Sequence, residues 1–573
     1  MLRVRAAGVL DVRPMSGGRS RRVATALLLV AVVTLPFFYR LGAWPLFDPD
    51  EGRNAEVARE MVASGRWGVP RFDGQPYLDK PALFFWAVAT AFRVGGVGET
   101  TARLPSALAA VATVGLTFAI AHLLFGARRG VLAAGIVATS PLVLVFARLV
   151  IFDMLLTALV TAALYCLLRA RLGGRPARWL PAAGAAMGLA TLTKGPVGIA
   201  VPLLAWIAGR GALPPPPRPA RWSHVGVAVL LAAGVVAPWL AVVSRAEPDF
   251  LRYALVDETL LRITSSARFH RGGPPYYYLQ TLAWAQGAWI VMLLAAAPGL
   301  LRRWRAGGRD APGIAFTVRA AAAVLVFFTL SASKRPYYIL PVVVLLGVLG
   351  AAAVDAEAPR ATAALRAFAR WMVVAGVVAL VGAHRGFHVR GAEFFVLTPA
   401  VVTAAGAFLV VWGLVTAVGG RTPRAAVVCC ALFAPVLGLV LLDPLRAYAE
   451  ARSPRALAAR IGPDADVVCF EAFRPGLPFY LGRPLLLLSD TGRELTSNYV
   501  IAARRRLVGR GELVASSALP AVLARRPRPW VLTTPWDMRR LERLAGMRLT
   551  PLYADRRSVL VCVGECGAPP ADG

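Results

Sequence analysis

Apolar residues fall in blocks of about twenty, long enough to cross the ~30 Å hydrocarbon core of a bilayer as helices. The blocks lie near 23–40, 101–125, 131–148, 154–170, 179–193, 196–209, 224–243, 284–301, 314–330, 337–354, 369–384, 394–416 and 424–443. They predict about thirteen transmembrane helices, a polytopic α-helical membrane protein. Two longer loops, about 41–100 and 244–283, mix acids, arginines and aromatics. After 443 the pattern turns polar, with short apolar runs at Val467–Phe470, Pro484–Leu488, Trp530–Thr534 and Ser558–Val563 and a helix-like stretch at Trp536–Leu544. Such alternation predicts a small α/β unit over 444–573, outside the membrane.

Composition agrees with the pattern. The 573 residues are 57% hydrophobic and 17% charged, with a mean hydropathy of +0.60. A soluble domain carries about a quarter charged residues. The net charge of +33 does not point to nucleic acid, because the arginines sit mainly in short loops between apolar blocks. If the spans alternate, the loops on the side of the basic tail 1–22 hold 24 basic residues against the acids Asp11, Asp310, Asp355 and Glu357. That bias makes this face cytoplasmic. The tail reads as a basic lead into a retained first helix, and the run Pro214–Pro217 as a stiff connector. Residues 23–443 thus form the membrane domain, and the two long loops and the C-terminal unit lie on the outer face. The location expected is the inner (plasma) membrane.

The candidate chemistry lies on that outer face. The first loop carries Asp48-Pro49-Asp50-Glu51-Gly52-Arg53 and then Tyr77-Leu78-Asp79-Lys80-Pro81. Asp50 and Glu51 at a helix start also suit capping and the helix dipole. Of 64 basic residues only Lys80, Lys194 and Lys334 are lysine, and all three are expected at outer ends of spans. A lysine is a compact point charge suited to phosphate, and arginine does not replace it at a shaped site. Arg148 and Asp153 flank a tight outer turn, and the second loop carries Asp257-Glu258 and Arg262. Charges near bilayer depth are costly and default to functional hypotheses. The cysteines are less informative: Cys469, Cys562 and Cys566 lie in the C-terminal part without a spacing that argues a pairing.

These motifs resemble a known family. Asp50-Glu51-Gly52-Arg53 through Asp79-Lys80-Pro81, Ala147-Arg148 with Asp153, Leu192-Thr193-Lys194-Gly195-Pro196, and Lys334 with Tyr338-Ile339-Leu340-Pro341 resemble, in order, those of the bacterial aminoarabinose transferases of lipid A modification. Those enzymes fall in the protein O-mannosyltransferase-like group (glycosyltransferase family 39), with the GT-C fold. The resemblance implies Asp50 as principal catalytic carboxylate, with Asp153 a second acid nearby and Glu51 beside them. It implies Arg53, Lys80, Arg262 and Tyr338 as ligands of a lipid-carrier phosphate, joined here by Lys194 and Lys334. A divalent metal is possible at Asp79 and Asp257, positions where the family usually has Glu and His. Asn54 and Arg335 also depart from the family pattern.

The activity implied is a glycosyltransferase (hexosyl- or pentosyltransferase) taking a sugar from a polyprenyl-phosphate donor. The acceptor stays open between a lipid A-like lipid, a glycan and a protein hydroxyl. The alternative is a lipid or sugar transporter without transfer chemistry, which would place its polar site near the midplane of the bilayer.

Overall fold

Glycine and proline punctuate the apolar blocks and set where each helix stops. The computed structural model describes residues 34–260, 272–384, 398–461, 465–526, 529–555 and 557–563. Among these, eight helices are long and apolar enough to cross a membrane, or nine if Tyr277–Ala285 and Ala288–Arg305, bent by 108°, form one span. The expected count of thirteen is neither met nor excluded by these, and a helix stands at every expected span that is described. The block at 131–148 is two helices, Ala127–Ala138 and Pro141–Phe146, divided before Pro141. The blocks at 179–193 and 196–209 are the helices Pro176–Lys194 and Val197–Gly209. Most of the first block lies outside the described residues.

Lipid exposure fits this reading. The apolar helices Trp222–Ala246 and Pro423–Val440 are only 6% and 17% buried within the protein. Surfaces so apolar and uncovered require a hydrocarbon solvent.

Charge separates the two ends of the bundle. At one end Arg129 donates to Asp310 at 2.7 Å and pairs with Asp355 at 2.9 Å, while Arg302 pairs with Glu357. All three described acids predicted on the basic face are therefore neutralised by its arginines. At the other end Lys194-Gly195-Pro196 turns the chain between its two helices, with Gly195 at φ +81°. The turn is tight: a Cβ on Gly198 would lie 2.3 Å from the Ala190 carbonyl carbon.

The C-terminal unit is a five-stranded mixed sheet flanked by helices. Its strands are β3 (Val467–Phe470), β4 (Leu486–Leu488), β5 (Trp530–Thr533), β6 (Pro551–Ala554) and β7 (Val559–Cys562), in the order β4-β3-β5-β7-β6. β3 is parallel to β4 and β5, whereas β7 is antiparallel to β5 and β6. Four of these strands coincide with the predicted apolar runs. β6 was not predicted, because Pro551-Leu552-Tyr553-Ala554 is an edge strand with an exposed, non-alternating pattern. Also unpredicted is the two-stranded hairpin β1 (Arg71–Phe72) and β2 (Gln75–Pro76) of the first loop.

The first loop and the C-terminal unit share one hydrophobic core. Phe72, Tyr77, Phe84 and Phe85 of the loop pack in the same cluster as Val467, Cys469, Phe473, Leu477 and Leu532. Phe84 and Phe85 are fully buried, with Phe152 against both rings. The closest approach is between backbones: a Cβ on Gly52 would meet the Gly476 Cα at 2.5 Å. Beside it the Gly476 N–H donates to Asp48 at 2.7 Å, and Arg474 pairs with the other Asp48 oxygen at 3.2 Å.

Two predictions follow from this interface. Alanine at Gly52 would favour the helix by about 1 kcal/mol, but overpacking against backbone costs about 1–3 kcal/mol. Gly52→Ala is therefore expected to lower the melting temperature and speed proteolysis of the C-terminal unit; an unchanged melting curve would show that the contact has slack.

The second concerns pH. Burial pushes the Asp48 carboxyl up from 3.8 to about 6, against the opposing pull of Arg474. Burial likewise raises Glu56, against Arg59. A raised pKa means the folded state binds the proton more tightly than the unfolded chain. The stability so gained is full below the unfolded value and is lost as pH rises through the folded one. The purified protein should melt higher at pH 5.5 than at pH 8, with Asp48→Asn narrowing the gap; a higher melting point at pH 8 would contradict this.

Candidate active site

The helix Asp50–Ser64 brings the first motif to the site. Consecutive helix residues point about 100° apart, so Asp50 and Glu51 face different surroundings. The Asp50 side chain is 49% exposed and pairs with Arg53 Nη2 at 2.5 Å, one helical turn on. Glu51 is only 1% exposed and takes Arg103 Nε and Nη2 at 2.9 and 2.8 Å. Glu51 also accepts the Val150 N–H at 3.1 Å. Glu51, expected among the catalytic acids, thus has its oxygens engaged inside the protein by Arg103 and the Val150 N–H.

Arg53 is held from several sides. Its second terminal nitrogen, Nη1, donates to Thr496 Oγ1 at 2.7 Å and to the Thr496 carbonyl at 3.2 Å. Its guanidinium lies 5.4 Å from the centre of the Tyr77 ring. The Tyr77 phenol is pushed above its ordinary value by burial, with Arg53 opposing and Asp79, Asp50 and Glu258 adding to the rise. Those four charged groups therefore all act on the Tyr77 phenol.

Lys80 donates from Nζ to the Asp79 carbonyl at 2.6 Å and to Glu258 Oε1 at 2.5 Å. Glu258 and Asp257 lie on a π-helix, Tyr253–Leu260, a conformation frequent at functional sites. Asp153 opens the span Asp153–Leu172 and pairs with Lys194. The Lys194 ammonium also sits 4.6 Å from the Tyr338 ring centre and 5.1 Å from that of Tyr337. Asp153 is near enough to Lys80 and Asp50 to interact electrostatically with both.

The structure therefore gathers Asp50, Arg53, Lys80, Asp153, Lys194 and Tyr338 at one end of the bundle. Lys334 is buried in the turn before the span Leu340–Ala356, where its ammonium donates to the Ser331 carbonyl at 2.8 Å. Arg262 lies outside the described residues. Asn54 donates to the Val150 carbonyl at 2.8 Å and so fastens the loop to the turn that precedes Asp153.

Asp79 does not fit the metal site that the resemblance implies. Its Oδ1 accepts from Tyr253 Oη and the Tyr499 N–H, each at 2.7 Å, and from Ser497 Oγ at 3.3 Å. Its Oδ2 accepts the Asn498 N–H at 2.9 Å. The carboxylate thus sits at the N-terminus of the helix Asn498–Gly509, where free N–H groups and the helix dipole favour an anion. Among the described residues no three His, Cys, Asp or Glu side chains converge as metal ligands. In this structure Asp79 caps that helix and ties the first loop to the C-terminal unit.

Several residues went without a role in the sequence. Glu258 stood beside Asp257, and Tyr77 beside the Asp79-Lys80 pair, so charge near a lysine was the available signal. Arg103 lay inside a predicted span, where an arginine is itself the signal. Thr496 gave none.

Chemically, each cation of the cluster already holds a carboxylate: Arg53 with Asp50, Lys80 with Glu258, Lys194 with Asp153. An entering oxyanion can exchange for a carboxylate on such a cation and meet charge-assisted hydrogen bonds. A partly exposed carboxylate, Asp50, stands beside it.

Fold and site together define a class: a polytopic membrane protein of the GT-C fold with an ionic site at one end of its helix bundle. More particularly, it is similar to proteins of the glycosyltransferase family 39-like group. Residues 79–241 match the profile of the dolichyl-phosphate-mannose-protein mannosyltransferase family. The chain is 31% identical over 347 residues to the undecaprenyl phosphate-alpha-4-amino-4-deoxy-L-arabinose arabinosyl transferase of Edwardsiella ictaluri, covering 57% of this chain and 59% of that one. It is 30% identical over 373 residues to a Pseudomonas fluorescens transferase of the same description, covering 63% and 65%. Each alignment thus spans less than two thirds of the relative's length. The crystal structure of ArnT from Cupriavidus metallidurans bound to undecaprenyl phosphate superposes with a TM-score of 0.77 at 25% identity, over 94% of this chain and 98% of that one.

Proposed function

We propose that this protein is a membrane glycosyltransferase that moves a sugar from a polyprenyl-phosphate donor to an acceptor on the outer face of the inner membrane. The observation that carries the proposal is the cluster of Arg53, Lys80 and Lys194 beside the half-exposed carboxylate of Asp50. The undecaprenyl-phosphate relatives and the ArnT structure with undecaprenyl phosphate bound support a donor of this class. The acceptor is a lipid A-like lipid, a glycan or a protein hydroxyl.

Two observations favour the outer face. The arginine-rich loops lie at the opposite end of the bundle, which the positive-inside rule assigns to the cytoplasm. Cys562, in the C-terminal unit, is disulfide-bonded, as expected of an oxidising compartment.

The chemistry then needs two things. The bond between the sugar C1 and the phosphate oxygen breaks, and its electron pair goes to the phosphate. Arg53 and Lys80 stabilise the charge that develops there, having exchanged a carboxylate for the phosphate. The acceptor oxygen forms the new bond to C1. When the acceptor is a hydroxyl, Asp50 takes its proton. When it is a phosphate, no proton moves, and Asp50 stabilises positive charge on the sugar instead. Asp153 orients Lys194 against Tyr338 at the edge of the same space.

Asp50→Asn should cut transfer by about a hundredfold or more while insertion and melting temperature hold, in an assay of sugar release from a labelled lipid donor. Full activity would remove Asp50 from the mechanism. Lys80→Ala should weaken binding of the lipid-phosphate donor by roughly tenfold, the worth of a charge-assisted hydrogen bond. Unchanged donor affinity would leave Lys80 with only its partner Glu258 to explain it.

A further inference from the structure

The C-terminal unit does more than cover the site. Thr496 has φ +54° and ψ +28°, the left-handed region that a β-branched side chain rarely adopts. Such outliers persist where the surroundings over-determine them, and they cluster at working sites. In that conformation Thr496 offers both its hydroxyl and its carbonyl to a single nitrogen, Arg53 Nη1, across 443 positions of sequence. The next three residues, Ser497, Asn498 and Tyr499, hold the Asp79 carboxylate, while the carbonyl of Asp79 receives Lys80 Nζ. One four-residue segment thus fixes the supports of two cations in the cluster.

We propose that Thr496 is a positioning residue: its hydroxyl sets the guanidinium of Arg53 for the donor phosphate, and the C-terminal unit is thereby part of the active centre. This rests on the reading of Arg53 as a phosphate ligand. With Nη2 taken by Asp50 and Nη1 by Thr496, the guanidinium plane is fixed before any ligand arrives. A preorganised cation loses less on binding an oxyanion than one that must first stop rotating.

The test uses the full-length protein in detergent or nanodiscs, with undecaprenyl phosphate as the probe. Thr496→Gly suits the left-handed backbone, keeps the carbonyl acceptor, relieves the side-chain strain and removes the hydroxyl together with Cβ and its methyl. Its melting temperature should stay level or rise while donor affinity falls roughly tenfold. Thr496→Ser should restore affinity to near that of the parent, and in an Arg53→Ala background Thr496→Gly should change nothing further. A merely structural Thr496 would lower stability and affinity together and would keep its effect without Arg53. Unchanged affinity in Thr496→Gly, with Arg53→Ala clearly weakened, would overturn the inference alone. Unchanged affinity in Arg53→Ala itself would overturn the phosphate reading of Arg53 and the inference with it.

Discussion

The buried pair between Glu51 and Arg103 holds the working end of this protein together. Arg103 rises from the span Glu99–Phe125 with a side chain only 1% exposed. Besides Glu51 it donates to the carbonyls of Leu41, Trp44 and Pro45. Glu51 in turn takes the Val150 N–H. Four segments meet there: the span that carries Arg103, the start of the first loop, the loop helix, and the turn before Asp153. Removing one partner of such a pair strands the other charge in the interior, at a cost of about 3–5 kcal/mol. Asp50 and Asp153, far apart in sequence, are neighbours because this knot is tied between them.

The membrane architecture was legible because length and composition alone decide whether a segment can cross a bilayer. What these cues do not give is the interruption of a span, as at Pro141, or a helix too short to cross unaided. The C-terminal strands were legible where both faces are buried, since a short apolar run is then continuous. β6, half exposed at the edge, had no such mark.

At the site, the short motifs of the sequence come together at one end of the bundle, but the direction of each side chain could not be read from them. In Asp50-Glu51 one carboxylate faces the cation cluster and the other faces the core. In Asp79-Lys80 the acid caps a distant helix while the lysine meets Glu258. Adjacent residues diverge by backbone geometry, and only the packing partner says which is which. The scarcity of lysine was a better guide: Lys80 and Lys194 each meet a carboxylate of the site, and Lys194 lies in a cleft of tyrosine rings that suits a compact ammonium. Lys334 meets the Ser331 carbonyl of its own turn.

The core shared by the first loop and the C-terminal sheet has a consequence for biogenesis. The chain is made from its N-terminus, so Phe72, Tyr77, Phe84 and Phe85 emerge while hundreds of residues still separate them from the strands that will cover them. Until the last helix has inserted and the sheet has formed, this aromatic surface stands open beside the membrane, the kind of exposed half-core that aggregates or recruits a chaperone. The order of synthesis therefore makes the site one of the last parts of the molecule to mature, however early its first residues appear.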